Sequence, residues 1–166
     1  MPDAATPVPR AGGPRVIAVV VAWNRRDLLC RNLDGLAAQR RPVDGVVVID
    51  NASSDGSAAM VRARFPGVRL IENSENVGFA RANNQGIAMA QGRYVLLLNS
   101  DTELRPGGLA ALIDFMDAHP AAGACGARLL HADGTLQPGA HPMLTPGREL
   151  WRLLFVDYLT AGIRAM

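Results

Sequence analysis

From Val16 the chain alternates short, unbroken β-branched runs with longer stretches in which apolar residues recur at helical spacing. That alternation predicts an α/β domain, a mainly parallel sheet with helices on both faces. Val16–Ala22 is apolar throughout, as a strand buried on both sides is, and reads as a central strand. Leu28, Leu29, Leu33 and Leu36 mark a helix over Arg25–Gln39, which Pro42 closes off before a second strand at Val46–Ile49. A second helix near Ser54–Arg64 stops before Pro66, and Val68–Ile71 follows as the third strand. Gly78–Ala90 reads as a helix and Arg93–Leu98 as the fourth strand; Leu109–Ala118 is then a helix with Pro106 in its first turn, where the missing amide costs little. A fifth strand is expected at Ala124–Leu130, with Asp133–Gly134 turning Leu129–Gln137 into a hairpin.

The 166 residues, 49% of them hydrophobic, suit one core, placed at residues 15–145. Residues 1–14 are rich in Pro, Ala and Gly and lack the apolar core of a secretory signal, so they read as a disordered leader. Residues 146–166 carry Leu150, Trp151, Leu154, Phe155 and Tyr158, the density of a helix docking on a sheet. Arg148, Arg152 and Arg164 flank them and open a second reading, an interfacial helix in peripheral contact with anionic lipid. No apolar stretch reaches the roughly 18 residues that span a bilayer. The expected location is therefore the cytoplasm, or on the second reading the inner face of the plasma membrane. Cys30 and Cys125 fit no metal or redox spacing and are expected as buried free thiols. A net charge of +2 and 5% aromatic residues offer no basic, aromatic-lined groove for nucleic acid.

In a doubly wound sheet ligands bind beyond the carboxyl ends of the strands, so the segments after each strand carry the chemistry. Trp23-Asn24-Arg25 follows the first strand, Asp50 to Gly56 the second, Asn73 to Gly78 the third and Asn99-Ser100-Asp101 the fourth. Ser53, Ser54 and Asp55 suit helix capping. Asp50 ends a buried run, where an acceptor-only carboxylate needs a donor, and a pyrimidine imide N–H supplies one. Trp23 is either a core aromatic or a face for a nucleobase. The Asn76–Gly78 turn and the following stretch to Asn83 present either amides for a phosphate or an ordinary capped helix. Asp101 places a carboxylate where a hard divalent cation can bridge it to a diphosphate, with helix capping as the plainer role, and Glu103 reads as a solvated side chain. There is no P-loop, no Gly-x-Gly-x-x-Gly after the first strand and no Gly-x-Ser-x-Gly elbow, and His119, His131 and His141 lie outside the strand-end loops.

Taken in order, Val19–Arg25, Val48–Ser57, Asn76–Ala80 and Leu97–Asp101 resemble family 2 glycosyltransferases, most nearly the bacterial rhamnosyltransferase-like branch, and Ala127–Leu130 with Asp133–Gln137 continues the likeness. The resemblance implies the Rossmann-like GT-A fold of nucleotide-diphospho-sugar transferases. It also implies inverting transfer from a UDP- or dTDP-sugar to a glycan or lipid-linked acceptor in cell-envelope polysaccharide synthesis, with Mg2+ or Mn2+ as Lewis acid. By position Trp23 matches the aromatic that packs on the base, Asp50 the acid that hydrogen-bonds it, and Asp101 the last acid of the family's D-x-D, whose first acid is here Asn99. The implied nucleotide-sugar site is Trp23, Asn24, Asp50, Asn51, Asn76, Gly78, Asn83, Ser100 and Asp101, with Asp101 as the metal ligand. Family members continue beyond this length into the general base and acceptor surface, so the chain is expected to be the truncated donor-binding part, with no base assigned. Two rivals are a non-catalytic nucleotide-sugar-binding module and a nucleotidyltransferase; Asn24-Arg25-Arg26 lacks the glycine-rich loop of the latter.

Overall fold

A computed structural model describes residues 16–137; the expected leader at 1–14 and apolar segment at 146–166 lie outside the described residues. The chain divides into two units, Met1–Cys125 and Gly126–Met166. In the first, strands and helices alternate: β1 (Val16–Ala22), α1 (Arg26–Ala37), β2 (Gly45–Asp50), α2 (Ser57–Arg64), β3 (Arg69–Glu72), α3 (Phe79–Met89), β4 (Tyr94–Asn99) and α4 (Gly108–Ala118). The four strands form one parallel sheet in the order β3-β2-β1-β4. Its centre is β1, as the unbroken apolar run predicts.

Successive strand residues point to opposite faces, and each face has its own helices. Ala18, Val20 and Ala22 of β1, with Val48 and Leu98, pack under Leu29, Leu33 and Leu36 of α1 and Met60 and Val61 of α2. Ile17 and Val19, with Val47 and Ile49, pack under α3 through Ala82. The approach of α3 is close because Gly86 has no side chain: a Cβ there would lie 2.3 Å from Val19 Cγ1 and 2.7 Å from Ile49 Cδ1. Leu109 and Ile113 seat α4 on Val16, a β1 residue that shares its face with Ala18.

Several expectations shift. Helix α2 begins at Ser57 rather than near Ser54, because Gly56 at its N-cap takes a φ of 83° that ends the loop there. Pro106 precedes α4 instead of lying in its first turn: Gly107, at φ 82°, is the N-cap, and the Gly108 amide closes a turn on the Arg105 carbonyl at 3.0 Å. Both thiols are free as expected, but Cys30 is half-buried and Cys125 exposed.

In the second unit the hairpin forms as a single antiparallel bridge between Leu130 and Leu136. Gly134 turns it at φ 86°, and Asp133 Oδ1 accepts from the Thr135 amide and hydroxyl at 2.9 and 2.7 Å, which holds the Asp133 carboxyl below its ordinary range. The expected fifth strand at Ala124–Leu130 is otherwise not formed among the described residues. Its first half is Ala-Cys-Gly-Ala, small residues that give a ladder little to pack. No helix among the described residues is long and apolar enough to cross a membrane.

Candidate functional site

The strands end almost level. Ala22 of β1 pairs in register with Asp50 of β2, Asp50 with Glu72 of β3, and Val21 with Asn99 of β4. The four following loops therefore emerge side by side along one edge of the sheet. The order of strand addition reverses between β1 and β4, since β2 and β3 lie to one side of β1 and β4 to the other, all four running parallel. That switch point is where an open α/β sheet leaves a crevice, flanked here by Trp23-Asn24 and Ser100-Asp101. An apolar cavity of about 290 Å³ lies at the other end of β4, against Val16, Tyr94 and α4, and has no part in this edge.

Trp23 is 54% exposed, which removes the core alternative and leaves an open indole face one residue past β1. Asp50 is 3% exposed, yet only one of its oxygens is satisfied: Oδ2 accepts from the Ser53 amide at 3.2 Å, while Oδ1 is buried with no partner. Leaving a charged acceptor buried and unpaired costs more than an ordinary missing hydrogen bond. The arrangement thus holds one acceptor ready for a donor that the protein does not supply. Asp50 does not cap α2, which starts beyond Gly56.

The loops after β1 and β2 are laced together. Asn24 donates its amide to Ser53 Oγ at 2.9 Å, and its Oδ1 accepts from the Ser54 amide at 2.8 Å. Asp55 Oδ2 accepts from the Arg26 amide at 2.9 Å, and Asp55 Oδ1 from the Ser57 amide and hydroxyl at 3.0 and 2.6 Å. The N-caps are Arg25 and Gly56 and neither helix has a side-chain cap, so the expected capping by Ser53, Ser54 and Asp55 is replaced by lacing, in which Asp55 accepts from the first amide of both α1 and α2. Partial burial would raise the Asp55 carboxyl, but the bonds from Ser57 and Arg26 outweigh it and hold the group below its ordinary range. Asn24 and Ala52 adopt left-handed backbone, φ 50° and 65°, rare for residues with a side chain and found where a loop is constrained from several sides.

A second network joins β2, β3 and α3. Asn51 Oδ1 accepts from Asn73 Nδ2 at 3.0 Å and from the Val77 amide at 3.1 Å, while Asn51 Nδ2 donates to Asn76 Oδ1 at 2.6 Å. Asn73 and Gln85 exchange a reciprocal pair, both at 3.0 Å. Asn76 Oδ1 also accepts the Gly78 amide at 3.0 Å, and Asn83 donates to the Phe79 carbonyl at 2.9 Å. The Val77 and Gly78 amides are thus engaged within the protein rather than facing an anion, and Gly78, at φ 85°, serves to turn the chain into α3. Asn51, Asn76 and Asn83 brace this wall; they are buried or hydrogen-bonded inward.

Beyond β4, Ser100 is 8% exposed and Asp101 is exposed. Asp101 takes no hydrogen bond or ion pair among the described residues, and with α4 starting at Gly108 it is no helix cap. Glu103 is exposed, as a solvated side chain should be. Among the described residues no three His, Cys, Asp or Glu side chains are grouped to hold a metal. What Asp101 offers is one hard oxygen donor, which suits a divalent cation completing its shell with diphosphate and water. Two residues that the motifs did not flag support this turn from below: Asn32 of α1 and Gln39 just after it, both buried, hydrogen-bond to the backbone of 99–104. The one signal available was Asn32 lying in the same stripe as Leu29, Leu33 and Leu36.

A parallel doubly wound sheet whose switch point gathers an exposed indole, a buried half-satisfied carboxylate and an exposed acid defines an open α/β domain with a polar crevice at that edge. More particularly, the chain belongs to glycosyl transferase family 2, whose sequence profile it matches over residues 17–161. It is 40% identical over 106 residues to the succinoglycan biosynthesis protein ExoO of Rhizobium meliloti, covering 63% of this chain and 30% of that protein. It is 35% identical over 137 residues to the N-acetylglucosaminyl-diphospho-decaprenol L-rhamnosyltransferase of Mycobacterium tuberculosis, covering 75% of this chain and 44% of that one. The chain therefore spans less than half the length of either relative. Among solved structures it is similar to the mannosyltransferase PcManGT of Pyrobaculum calidifontis in complex with GDP-Man and Mn2+, with a TM-score of 0.58 and 31% identity over 70% of this chain and 36% of that one. S. aureus TarS in complex with UDP-GlcNAc, at 24% identity over 64% of this chain and 32% of that one, shares the fold with a TM-score of 0.58. The fold is GT-A.

Proposed function

We propose that this chain is the donor-binding part of a glycosyltransferase that takes a UDP- or dTDP-sugar, with Mg2+ or Mn2+, for inverting transfer to a glycan or lipid-linked acceptor of the cell envelope. The observation that carries the reading is Asp50: a carboxylate 3% exposed, with Oδ1 unpartnered, beside an indole that is 54% exposed. A nucleobase stacked on Trp23 brings its edge toward that oxygen, and the base that suits it presents a ring N–H. Uracil and thymine do so at N3, whereas adenine and cytosine carry a lone pair on the ring nitrogen there and can offer a carboxylate only their exocyclic amino group, at a different position. Guanine also presents a ring N–H, so nucleotides of all three kinds belong in the test.

The nucleoside held at Trp23 and Asp50 directs its diphosphate across the switch point toward the Ser100-Asp101 turn. There Asp101 would hold the cation, which when bound supplies Lewis-acid stabilisation of the departing diphosphate. Inverting transfer also needs a base to deprotonate the acceptor hydroxyl. None of the residues at the strand ends is assigned that role, in keeping with a chain that spans under half of its relatives' length. The acceptor class rests on the relatives named for succinoglycan and a decaprenol-linked sugar. Peripheral contact at the inner face of the plasma membrane follows as the place where a lipid-linked acceptor is met.

Calorimetric titration of UDP, dTDP, GDP, CDP and ADP into the chain, with Mn2+ and then with EDTA, tests this. Binding of UDP or dTDP that strengthens with Mn2+, with CDP and ADP weaker, is expected. A folded chain that binds none of the five would sink the proposal. Binding of the donor with no transfer to any acceptor would favour the non-catalytic module.

A further inference from the structure

Helix α1 buries one side-chain amide, Asn32, in its apolar stripe, and the turn just past its C-terminus buries a second, Gln39. Asn32, 2% exposed, donates both Nδ2 hydrogens to backbone carbonyls far away in sequence, of Asn99 at 3.0 Å and Thr102 at 2.6 Å. Those carbonyls bracket Ser100-Asp101, and the Thr102 amide closes the same turn on Asn99 O at 3.1 Å. Just past the C-terminus of α1, Gln39, 6% exposed, donates Nε2 both to the Gly35 carbonyl of α1 and to the Leu104 carbonyl, each at 3.2 Å. The chain around the Asp101 turn is thus fastened to α1 at residues 99 and 102, and through Gln39 at residue 104.

These amides are an expensive way to fill space. The acceptor atoms of both, Asn32 Oδ1 and Gln39 Oε1, are buried without partners. An apolar side chain at either position would leave no amide oxygen orphaned but would take the donor from the Thr102 or the Leu104 carbonyl, so filling space alone does not account for either residue. What the amides add is directional: donors aimed at the carbonyls on either side of Asp101. The other end of α1 is fastened to the nucleoside side, where the Arg26 amide donates to Asp55 Oδ2 at 2.9 Å in the loop that follows Asp50.

We propose that Asn32 and Gln39 are positioning residues, through which α1 and the turn that follows it hold the Asp101 turn at a set distance from the Asp50 pocket, so that one nucleotide can reach both. The proposal rests on the donor-site reading and names part of what builds that site. Neither residue touches nucleotide or metal; each acts through the backbone that carries Asp101. Loss of such supporting bonds lowers metal affinity by about 10–100-fold in well-studied metal sites.

The test uses the full chain and three variants, Asn32→Leu, Asn32→Asp and Gln39→Met, each checked for folding by circular dichroism. UDP affinity is measured with Mn2+ and with EDTA, and amide hydrogen exchange is followed across the sheet. In the Asn32 variants we expect UDP affinity in EDTA to stay within about twofold of the parent, because the Asp50 pocket is not touched. The gain in affinity conferred by Mn2+ should fall by about tenfold or more. Exchange should quicken in residues 99–104 and not in β1 or β2. Gln39→Met should act in the same direction and more weakly, which keeps the test decisive if an Asn32 variant fails to fold. A Mn2+ gain equal to the parent's with unchanged exchange at 99–104 would overturn the proposal, as would affinities with and without metal falling together. A parent with no Mn2+ gain would overturn the donor-site reading instead, and the exchange data alone would then decide whether α1 holds the turn.

Discussion

Ser53 donates its backbone amide to Asp50 Oδ2 over 3.2 Å, and that bond turns the other oxygen, Oδ1, into a buried site with no partner. The isosteric change Asp50→Asn reverses this. With the amide oxygen kept on Ser53, the NH2 group takes the place of Oδ1, and a ring N–H then meets a donor instead of an acceptor. We expect UDP affinity to fall by about 1.5–3 kcal/mol, the range for a hydrogen bond to a charged group, equally in Mn2+ and in EDTA. Thermal stability should hold or rise, since an unpaired buried charge is removed. Parent-like affinity by calorimetry would show that Asp50 does not face the base.

Asp101→Asn separates the other half of the site. Asp101 is exposed and takes no hydrogen bond or ion pair among the described residues, so its charge does nothing for the fold that asparagine would not do. We expect an unchanged melting temperature, UDP affinity in EDTA like the parent's, and loss of most of the gain that Mn2+ confers. A variant that keeps the full gain would show that the cation, if it binds, is held elsewhere. Together the two substitutions test Asp50 as a metal-independent contact and Asp101 as a metal-dependent one.

What could be read from the sequence follows from the range of the forces concerned. The Val16–Ala22 strand, the parallel α/β alternation and the polar strand ends are local patterns, and the structure bears them out with β1 at the centre of the sheet. Asp50 was legible too, as a charge ending an apolar run. Asn32 and Gln39 were not: Asn32's place in the apolar stripe of α1 shows that it is buried, but the carbonyls that both amides reach lie 65 to 70 residues away and nothing local points to them. Trp23 shows the same limit from the other side: its exposure depends on which strand sits beside β1, and spacing left core and surface equally open. Ala124–Leu130 has apolar residues but, among the described residues, no partner beyond the single Leu130–Leu136 bridge, and a ladder needs both.

Asp55 links acidity to the integrity of this edge. Its folded-state carboxyl lies below the ordinary range because the bonds from Ser57 and Arg26 favour the ionised form over the opposing effect of burial. A depressed carboxyl contributes stability that is complete above the unfolded-state value, about 4, and is lost as pH falls through the folded-state value. Asp55→Ala should cost about 0.5–1 kcal/mol at pH 7, the low end for removing an oxygen that bonds a helix's first amides, because Asp55 is exposed to water. The difference from the parent should shrink toward pH 3. Urea unfolding of both proteins at the two pH values checks this, and a difference that stays constant would show that the Asp55 charge has no part in the loops' stability.

The close approach of α3 to the sheet makes opposite predictions for two glycines in helices. Gly86→Ala would raise helix propensity by about 1 kcal/mol, but the new Cβ would stand 2.3 Å from Val19 Cγ1 and 2.7 Å from Ile49 Cδ1. Both neighbours are fully buried and branched, with no open side to turn toward. Overpacking of this kind costs about 1–3 kcal/mol, so the core should win and the variant should be destabilised, with α3 and the Asn76–Gly78 turn displaced from the sheet. Gly35→Ala on α1 meets nothing within 4 Å and should stabilise, by up to about 1 kcal/mol. Urea midpoints that move in opposite directions would support this packing; a stabilised Gly86→Ala would mean that α3 sits farther from β1 and β2 than described, and with it the wall built by Asn51, Asn73 and Gln85.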